Sequence, residues 1–141
     1  MALDLVKYLR IKYKHLGRGF VEGDCLNLGL LFYKEEFGKE LEAIAAFTDY
    51  SENWAKEGQD FFLKLYKNFG FKKVKDDYRY GDVLFVLTGS AVSHIGIVVD
   101  PEQGYFIHTT KLGTAVHNYM AGEWATRIHS AVRYKGKLHA N

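Results

Sequence analysis

The sequence predicts an α+β fold in which helices come first and an antiparallel sheet follows. In the first half, apolar residues recur at three- and four-residue steps, as on one face of a helix. From Tyr80 onward, short apolar runs alternate with glycine-containing turns, which is typical of strands. Segregated helices and strands favour α+β over an alternating α/β architecture. The length of 141 residues suits one domain over 1–141.

The first predicted helix runs from Leu3 to about Lys14, where apolar residues alternate with Lys and Arg. A second helix begins at Cys25, because Asp24 just before it is a good N-cap residue. It ends before Gly38, a residue that commonly stops helices by adopting a left-handed conformation.

The stretch from about 40 to 79 predicts a helical insertion. We expect a short helix over 40–47 and a longer one over 51–69, where aromatic residues share one face. The lysine-rich segment 72–75 is interpreted as a solvated loop.

Five strands account for the second half: 83–87, 95–99, 105–109, 115–117 and 130–134. The residues Asp100 to Gly104 form the turn of a hairpin between the second and third strands. Residues 135–141 are expected to form a loose tail.

Cys25 and two histidines form a candidate catalytic set. Cys25 lies in the first turn of its helix, where free backbone N–H groups and the helix dipole favour an anion, so its thiol pKa is expected to be lowered. The hairpin turn brings the strands of His94 and His108 together. If paired positions sum to 202 the two histidines are directly opposite, and if they sum to 204 they are diagonal neighbours; both registers put them on one face.

Composition excludes several classes of function. The net charge of +2 is spread over 19 basic and 17 acidic residues, so we expect no nucleic-acid partner. A single cysteine excludes an intrachain disulfide and a cysteine-rich metal site. No apolar run is long enough for membrane insertion, and the N-terminal residues lack signal-peptide features, so we expect synthesis in the cytoplasm.

Four ordered motifs resemble the NlpC family of papain-like cell-wall cysteine peptidases. They are Gly-Asp-Cys at 23–25, Tyr-Gly-Asp-Val-Leu-Phe at 80–85, Ser-His-Ile-Gly-Ile-Val at 93–98 and Tyr-Phe-Ile-His at 105–108. The resemblance covers about 13–134, nearly the whole chain. The longer insertion and the closing segment 124–134 are similar to the variant found in bacteriophage tail proteins.

The resemblance implies a papain-like fold and a hydrolase that cleaves peptidoglycan stem peptides, typically at the γ-D-glutamyl bond. It assigns Cys25 as nucleophile, His94 as base and His108 as the third member of a Cys-His-His triad. Tyr13 and Asp24 are then expected at the oxyanion and substrate-binding side. No cofactor or metal is implied. Phage tail proteins are the expected partners and the virion an expected location.

Three alternatives stay open on the residues alone. One is an amidase or acyltransferase that uses the same site on another small acyl substrate. Another is a non-catalytic papain-like module, serving tail assembly or wall binding, in which Cys25 is an inert core residue. The third is a metal site built from His94, His108 and His117.

Overall fold

A six-stranded antiparallel sheet forms the centre of a computed structural model of the chain, which describes residues 4–45, 66, 68, 70–89 and 91–138. The helices are α1 (Val6–Leu9), α2 (Cys25–Phe37), α3 (Glu42–Ala45) and α4 (Gly122–Ala125). The strands are β1 (Lys12–Tyr13), β2 (Glu22–Gly23), β3 (Phe71–Val74), β4 (Val83–Thr88), β5 (Ala91–Asp100), β6 (Tyr105–Thr110), β7 (Gly113–Asn118) and β8 (Ile128–Tyr134). The order in the sheet is β3-β8-β4-β5-β6-β7, which confirms the predicted α+β class.

Helix α2 begins and ends where its sequence predicts. The Asp24 carboxylate accepts the backbone N–H of Asn27 at 3.0 Å, which caps the N-terminus. At the other end, Gly38 has a φ of 63° and its N–H returns to the carbonyl of Lys34. A residue with a Cβ would be strained in that left-handed conformation, so glycine defines the end of the helix.

The two faces of the sheet bury different sets of residues. One face packs against α2, whose Leu26, Leu28 and Phe32 are fully buried together with the strand residues Ile95 and Ile97. Each such side chain contributes about 1.5–3 kcal/mol through removal of its apolar surface from water. The opposite face carries a smaller cluster, over which aromatic side chains pack: Val74, Leu84, Val86, Val98, Phe106 and Ala131, covered by Tyr78, Tyr119, Trp124 and Ile128.

The predicted first helix is shorter than expected. Helix α1 ends at Leu9, and the segment that follows becomes β1, which pairs in parallel with β2. The Lys12 N–H donates to the Val21 carbonyl at 3.1 Å, and the Lys14 N–H donates to Gly23 at 2.9 Å. Tertiary pairing with the segment just before α2 therefore overrides a helical pattern that was too short to be stable alone.

The insertion is not wholly helical, and the lysine-rich segment is not a loop. Residues 71–74 form β3, an edge strand that pairs antiparallel with β8. Phe71 and Val74 are buried while Lys72 and Lys73 point to solvent. Exposed lysines on an edge strand oppose pairing with another chain, so the charges that suggested a loop suit this edge.

Other expectations are met in part. The helix predicted over 40–47 is present as α3, and residues 46 and 47 lie outside the described residues. The helix predicted over 51–69 also lies outside them, apart from Tyr66 and Asn68, which are helical. In the tail, Leu138 packs against the core near Gly81, so the described part of this segment is not loose.

Gly29 makes room for the hydroxyl of Tyr66 in the interior. A Cβ added to Gly29 would lie 2.8 Å from the Tyr66 oxygen and in ordinary contact with Ile95 and Ile97. Tyr66 is fully buried, and among the described residues its hydroxyl is the buried side-chain polar atom without a hydrogen-bond partner. An unpaired buried hydroxyl costs about 1–3 kcal/mol of folding free energy, so the Tyr66 hydroxyl destabilises the folded state.

We predict that the effect of Gly29→Ala on stability changes sign with residue 66. Alone, Gly29→Ala should destabilise the protein, because the new Cβ collides with the Tyr66 hydroxyl. In a Tyr66→Phe background the collision disappears, and alanine should stabilise α2 by about 1 kcal/mol over glycine. Urea denaturation of both single variants and the double variant measures this coupling. Equal effects of Gly29→Ala in the two backgrounds would contradict it.

Candidate functional site

Cys25 lies where the N-terminus of α2 meets an opening in the sheet. The backbone pairing of β5 with β6 runs from Ile97↔Ile107 to Asp100↔Tyr105. Outside this paired stretch, the N–H of Ile95 lies close enough to Cys25 to favour its thiolate. The backbone N–H groups of Leu26 and of Cys25 itself act on the thiol in the same direction. The thiol is thus held beside the residue that follows His94, in a cluster of backbone donors.

The expected lowering of the Cys25 thiol pKa is wrong. Burial, with the nearby Asp24 carboxylate as a second cause, raises the pKa of Cys25 to about 12. The three backbone N–H groups act in the opposite direction by stabilising the thiolate, but they do not outweigh the loss of hydration. The sequence showed the helix terminus and could not show how deeply the strands enclose it.

His94 and His108 are diagonal neighbours, one of the two registers that the hairpin allows. Ile97 pairs with Ile107 and Val98 with Phe106, so paired positions sum to 204. The two imidazoles share a face, and Nε2 of His94 lies 2.7 Å from Nδ1 of His108. This distance is that of a hydrogen bond between rings, in which one ring donates and the other accepts.

A third imidazole continues the line. On the next strand, His108 pairs with Ala115, which puts His117 one diagonal step further along the same face. Nδ1 of His117 lies 2.7 Å from Nε2 of His108. From the sequence, His117 was predicted only as a member of the alternative metal site. Its spacing from the Gly113 turn, which sets the register of β7, is the signal that could have placed it in this chain.

The three histidines are covered by aromatic side chains. Trp124 of α4 stacks on His117 at a centroid distance of 4.9 Å and meets His108 edge-on at 4.6 Å. Phe106 packs against His108 from the same strand at 4.5 Å. The Arg127 guanidinium lies 4.4 Å from the Trp124 centroid and is anchored by a hydrogen bond to the Leu87 carbonyl. Water is thereby kept from the central ring, because His108 is fully buried, whereas His94 and His117 are half-buried.

Burial keeps the inner imidazoles neutral. It lowers the pKa of His94 to about 4, with the positive charge of Arg127 as a second cause. It lowers the pKa of His108 to about 2, and the neighbouring His94, His117 and Arg127 add to the effect. At neutral pH the thiol of Cys25 is therefore protonated, and the imidazoles of His94 and His108 are uncharged.

The positions of the three histidines do not suit the alternative metal site. Zinc lies about 2.0–2.1 Å from each histidine nitrogen, so nitrogens bound to one ion are separated by more than 3 Å. The facing nitrogens of His94 and His108 are 2.7 Å apart, as are those of His108 and His117. Both nitrogens of His108 are occupied by other rings, so the three histidines do not converge on a common point.

Asp24 and Tyr13 flank the cysteine on its N-terminal side. Besides capping α2, the Asp24 carboxylate accepts the Leu16 N–H at 3.0 Å and pairs with Arg18 at 3.0 Å. It therefore ties the loop before the helix to the helix terminus. Tyr13 is half-buried and lies in the small parallel sheet. Its partner there is Gly23, which precedes Cys25 by two residues.

A groove with a basic rim begins at Tyr13. It has a volume of about 480 Å³ and lies between α1, β1 and the turn that joins β6 to β7. Arg10, Lys12 and Lys111 line it, all exposed, and none forms an ion pair with another residue in the described part of the chain. Thr114, also in the lining, donates a hydrogen bond to the Ile11 carbonyl at 3.0 Å, which fixes β7 against the start of β1.

Comparison with known families gives one decisive match. The model of the NlpC/P60 family matches residues 10–133, which is most of the chain. The chain belongs to the NlpC/P60 family. The NlpC/P60 family comprises cysteine hydrolases that act on cell-wall peptides, and the match confirms the resemblance seen in the sequence motifs. No curated protein matches the chain.

The fold is similar to that of a solved NlpC/P60-type structure, NlpC2 from Trichomonas vaginalis. The superposition covers 94% of this chain and 44% of that protein, with a TM-score of 0.60 and 21% sequence identity. This chain thus spans less than half of the length of that protein. The likeness confirms the papain-like fold. Across the described ranges, no helix is long and apolar enough to cross a membrane.

We predict that acid destabilises the NlpC/P60 domain through its buried imidazoles. Histidines in the unfolded chain bind protons below about pH 6.5, whereas His94 and His108 stay neutral in the folded state to about pH 4 and 2. Stability should therefore fall as the pH drops below 6.5, by about 1.4 kcal/mol per pH unit for each such histidine. His108→Asn should make the dependence shallower. Urea denaturation between pH 7 and pH 5 tests this, and parallel curves for the two proteins would contradict it.

Proposed function

We propose that this NlpC/P60 domain is a cysteine endopeptidase or amidase that hydrolyses peptide bonds of peptidoglycan stem peptides, with the γ-D-glutamyl bond as its target. Cys25 is the nucleophile, His94 the base and His108 the residue that orients His94. The observation that carries this assignment is the contact between Cys25 and Ile95. This contact supports the assignment because Ile95 directly follows His94, whose imidazole is hydrogen-bonded to His108.

The raised thiol pKa and the lowered imidazole pKa favour general-base catalysis over a preformed ion pair. His94 takes the thiol proton as the sulfur attacks the amide carbonyl, and a tetrahedral oxyanion forms. The Cys25 N–H and Tyr13 are the proposed donors to this oxyanion. His94 then gives its proton to the leaving amine, which leaves a thioester on Cys25. Water, deprotonated by His94, hydrolyses the thioester and regenerates the thiol.

The basic groove supports a substrate that carries carboxylates. A glutamate linked through its γ-carboxyl keeps its α-carboxylate free, so a stem peptide with this linkage is anionic near the bond to be cleaved. Arg10, Lys12 and Lys111 offer uncompensated positive charge beside Tyr13. Charge of this kind attracts an anionic ligand and raises its local concentration.

A role in a phage tail and a role without catalysis are each supported by a specific observation. The similarity of segment 124–134 to phage tail variants supports a role as a tail component that opens the cell wall, with tail proteins as partners. The raised pKa of Cys25 is what an inert core thiol also shows, and this favours, as a second candidate, a module that binds the wall without cleaving it. An amidase or acyltransferase on another acyl substrate would use the same thiol and base.

We predict that the protein releases defined fragments from purified muropeptides. Mass spectrometry should detect a new carboxylate and a new amine at the γ-D-glutamyl bond. Cys25→Ala should abolish release without unfolding the protein, because it removes the nucleophile. His94→Asn should lower kcat by about 10²–10⁴, the range of a general base.

The control is His129→Asn, a substitution of an exposed histidine outside the chain of imidazoles. Wall binding by the wild-type protein and by Cys25→Ala, with intact muropeptides in both cases, would favour the non-catalytic module. Cleavage of other acyl substrates alone would favour the amidase or acyltransferase.

We predict that charge in the groove acts on substrate binding. Arg10→Ala combined with Lys111→Ala should raise KM by about 2- to 5-fold for each charge removed, the range of exposed ion pairs, with kcat unchanged. The wild-type KM should rise with salt because these exposed charges are screened. Lys34→Ala, which removes an exposed lysine paired with Glu40, is the control. A KM insensitive to both salt and the double substitution would exclude the groove from binding.

A further inference from the structure

His117 is the outer member of the imidazole chain and has no part in the mechanism proposed above. Its Nδ1 meets His108 Nε2 at the same distance, 2.7 Å, that separates His108 Nδ1 from His94 Nε2. His117 is half-buried, and its ring is stacked on Trp124 with an interplanar angle of 27°. Both the hydrogen bond and the stacking fix the orientation of this ring.

The proton on His108 links the states of the other two rings. A neutral imidazole carries one ring proton, so it donates through one nitrogen and accepts through the other. His108 is fully buried and makes a hydrogen bond at each nitrogen. His108 must therefore donate to one neighbour and accept from the other. The N–H groups of the three imidazoles then all point along the chain of imidazoles in one of two directions, either toward His117 or toward His94.

Only one direction leaves His94 able to act as a base. If His108 donates from Nε2 to His117, it accepts from Nε2–H of His94, and Nδ1 of His94 keeps a free lone pair. If His108 donates from Nδ1 to His94, the proton of a neutral His94 must sit on its Nδ1. In that second direction Nδ1 has no lone pair for the thiol proton.

We propose that His117 is a positioning residue for catalysis: by accepting the His108 Nε2–H at its Nδ1, it sets the direction of the chain that leaves Nδ1 of His94 free to take the proton of Cys25. This inference rests on the proposed function, because it assumes that His94 is the base. It adds a residue that acts two rings away from the reacting atoms. In the proton transfer itself, the S–H bond of Cys25 breaks and an N–H bond forms at His94 Nδ1.

Acceptor chemistry at position 117 provides the test. His117→Asp offers only acceptor oxygens, attached to Cγ as Nδ1 is in histidine, so it should preserve the direction of the chain. His117→Leu removes the acceptor, so the buried His108 Nε2–H would lose its partner and the opposite direction would be populated. His129→Leu makes the same substitution at an exposed histidine and serves as the matched control.

We predict that His117→Leu lowers kcat for muropeptide cleavage at least about tenfold, as expected for a partly disabled general base, with KM unchanged. His117→Asp should restore most of the loss. Nitrogen-15 NMR of the ring nitrogens of His94, in an otherwise intact Cys25→Ala protein, should show the proton on Nε2 with histidine or aspartate at 117. With leucine, a population protonated at Nδ1 should appear.

The NMR measurement needs no substrate, so it separates this proposal from the proposed function. A His94 protonated at Nδ1 in the parent protein would overturn the role of His117, and so would the same His94 tautomer with leucine as with histidine at position 117. If the leucine variant does not fold, the parent and the aspartate variant still decide the question. Failure to cleave any muropeptide, with the expected tautomers present, would overturn the peptidase assignment alone.

Discussion

Removal of water from His108, the central ring of three hydrogen-bonded imidazoles, is the constraint on which the site depends. The strands supply the line of rings through their registers, and Trp124 covers it from α4. In this setting an imidazolium is costly because little water or negative charge is present to stabilise it. Arg127, stacked on Trp124, adds a positive charge that lowers the pKa of both inner histidines. The packing around the two inner rings therefore keeps His94 and His108 neutral.

At the N-terminus of α2, Asp24 stabilises the fold but makes the Cys25 thiol harder to deprotonate. Asp24 stabilises the helix and the loop before it through hydrogen bonds to Asn27, Leu16 and Arg18. Its negative charge also opposes a thiolate at Cys25. The backbone N–H groups around the sulfur favour the thiolate but cannot overcome burial. In the mechanism that we propose, deprotonation of Cys25 is therefore coupled to attack on the substrate, when charge passes from the sulfur to the oxyanion.

Local patterns predicted the elements that are defined by their own residues. The capping pair Asp24 and Gly38 located α2 to the residue, and the turn after Asp100 restricted His94 and His108 to one face. Patterns failed where distant segments decide the structure. Strand β1 depends on pairing with β2, and β3 depends on β8, about 60 residues later in the chain. A short window contains neither partner, so lysine content suggested a loop and apolar spacing suggested a helix.

In the candidate site, too, local patterns predicted some features, whereas others depend on distant segments. Residue types and strand phase were sufficient to predict that His94 and His108 lie together, and they led to the hypothesis that Cys25 acts with them. The protonation of this set depends on the divergence of β5 from β6, on the cover by Trp124 and on the charge of Arg127, none of which a local pattern contains. Gly96 illustrates the point, because a Cβ there would lie 2.5 Å from the ring of Phe106, which supports His108. In the motif this glycine has no chemical role, whereas in the fold it gives the ring beneath the central imidazole the space that it needs.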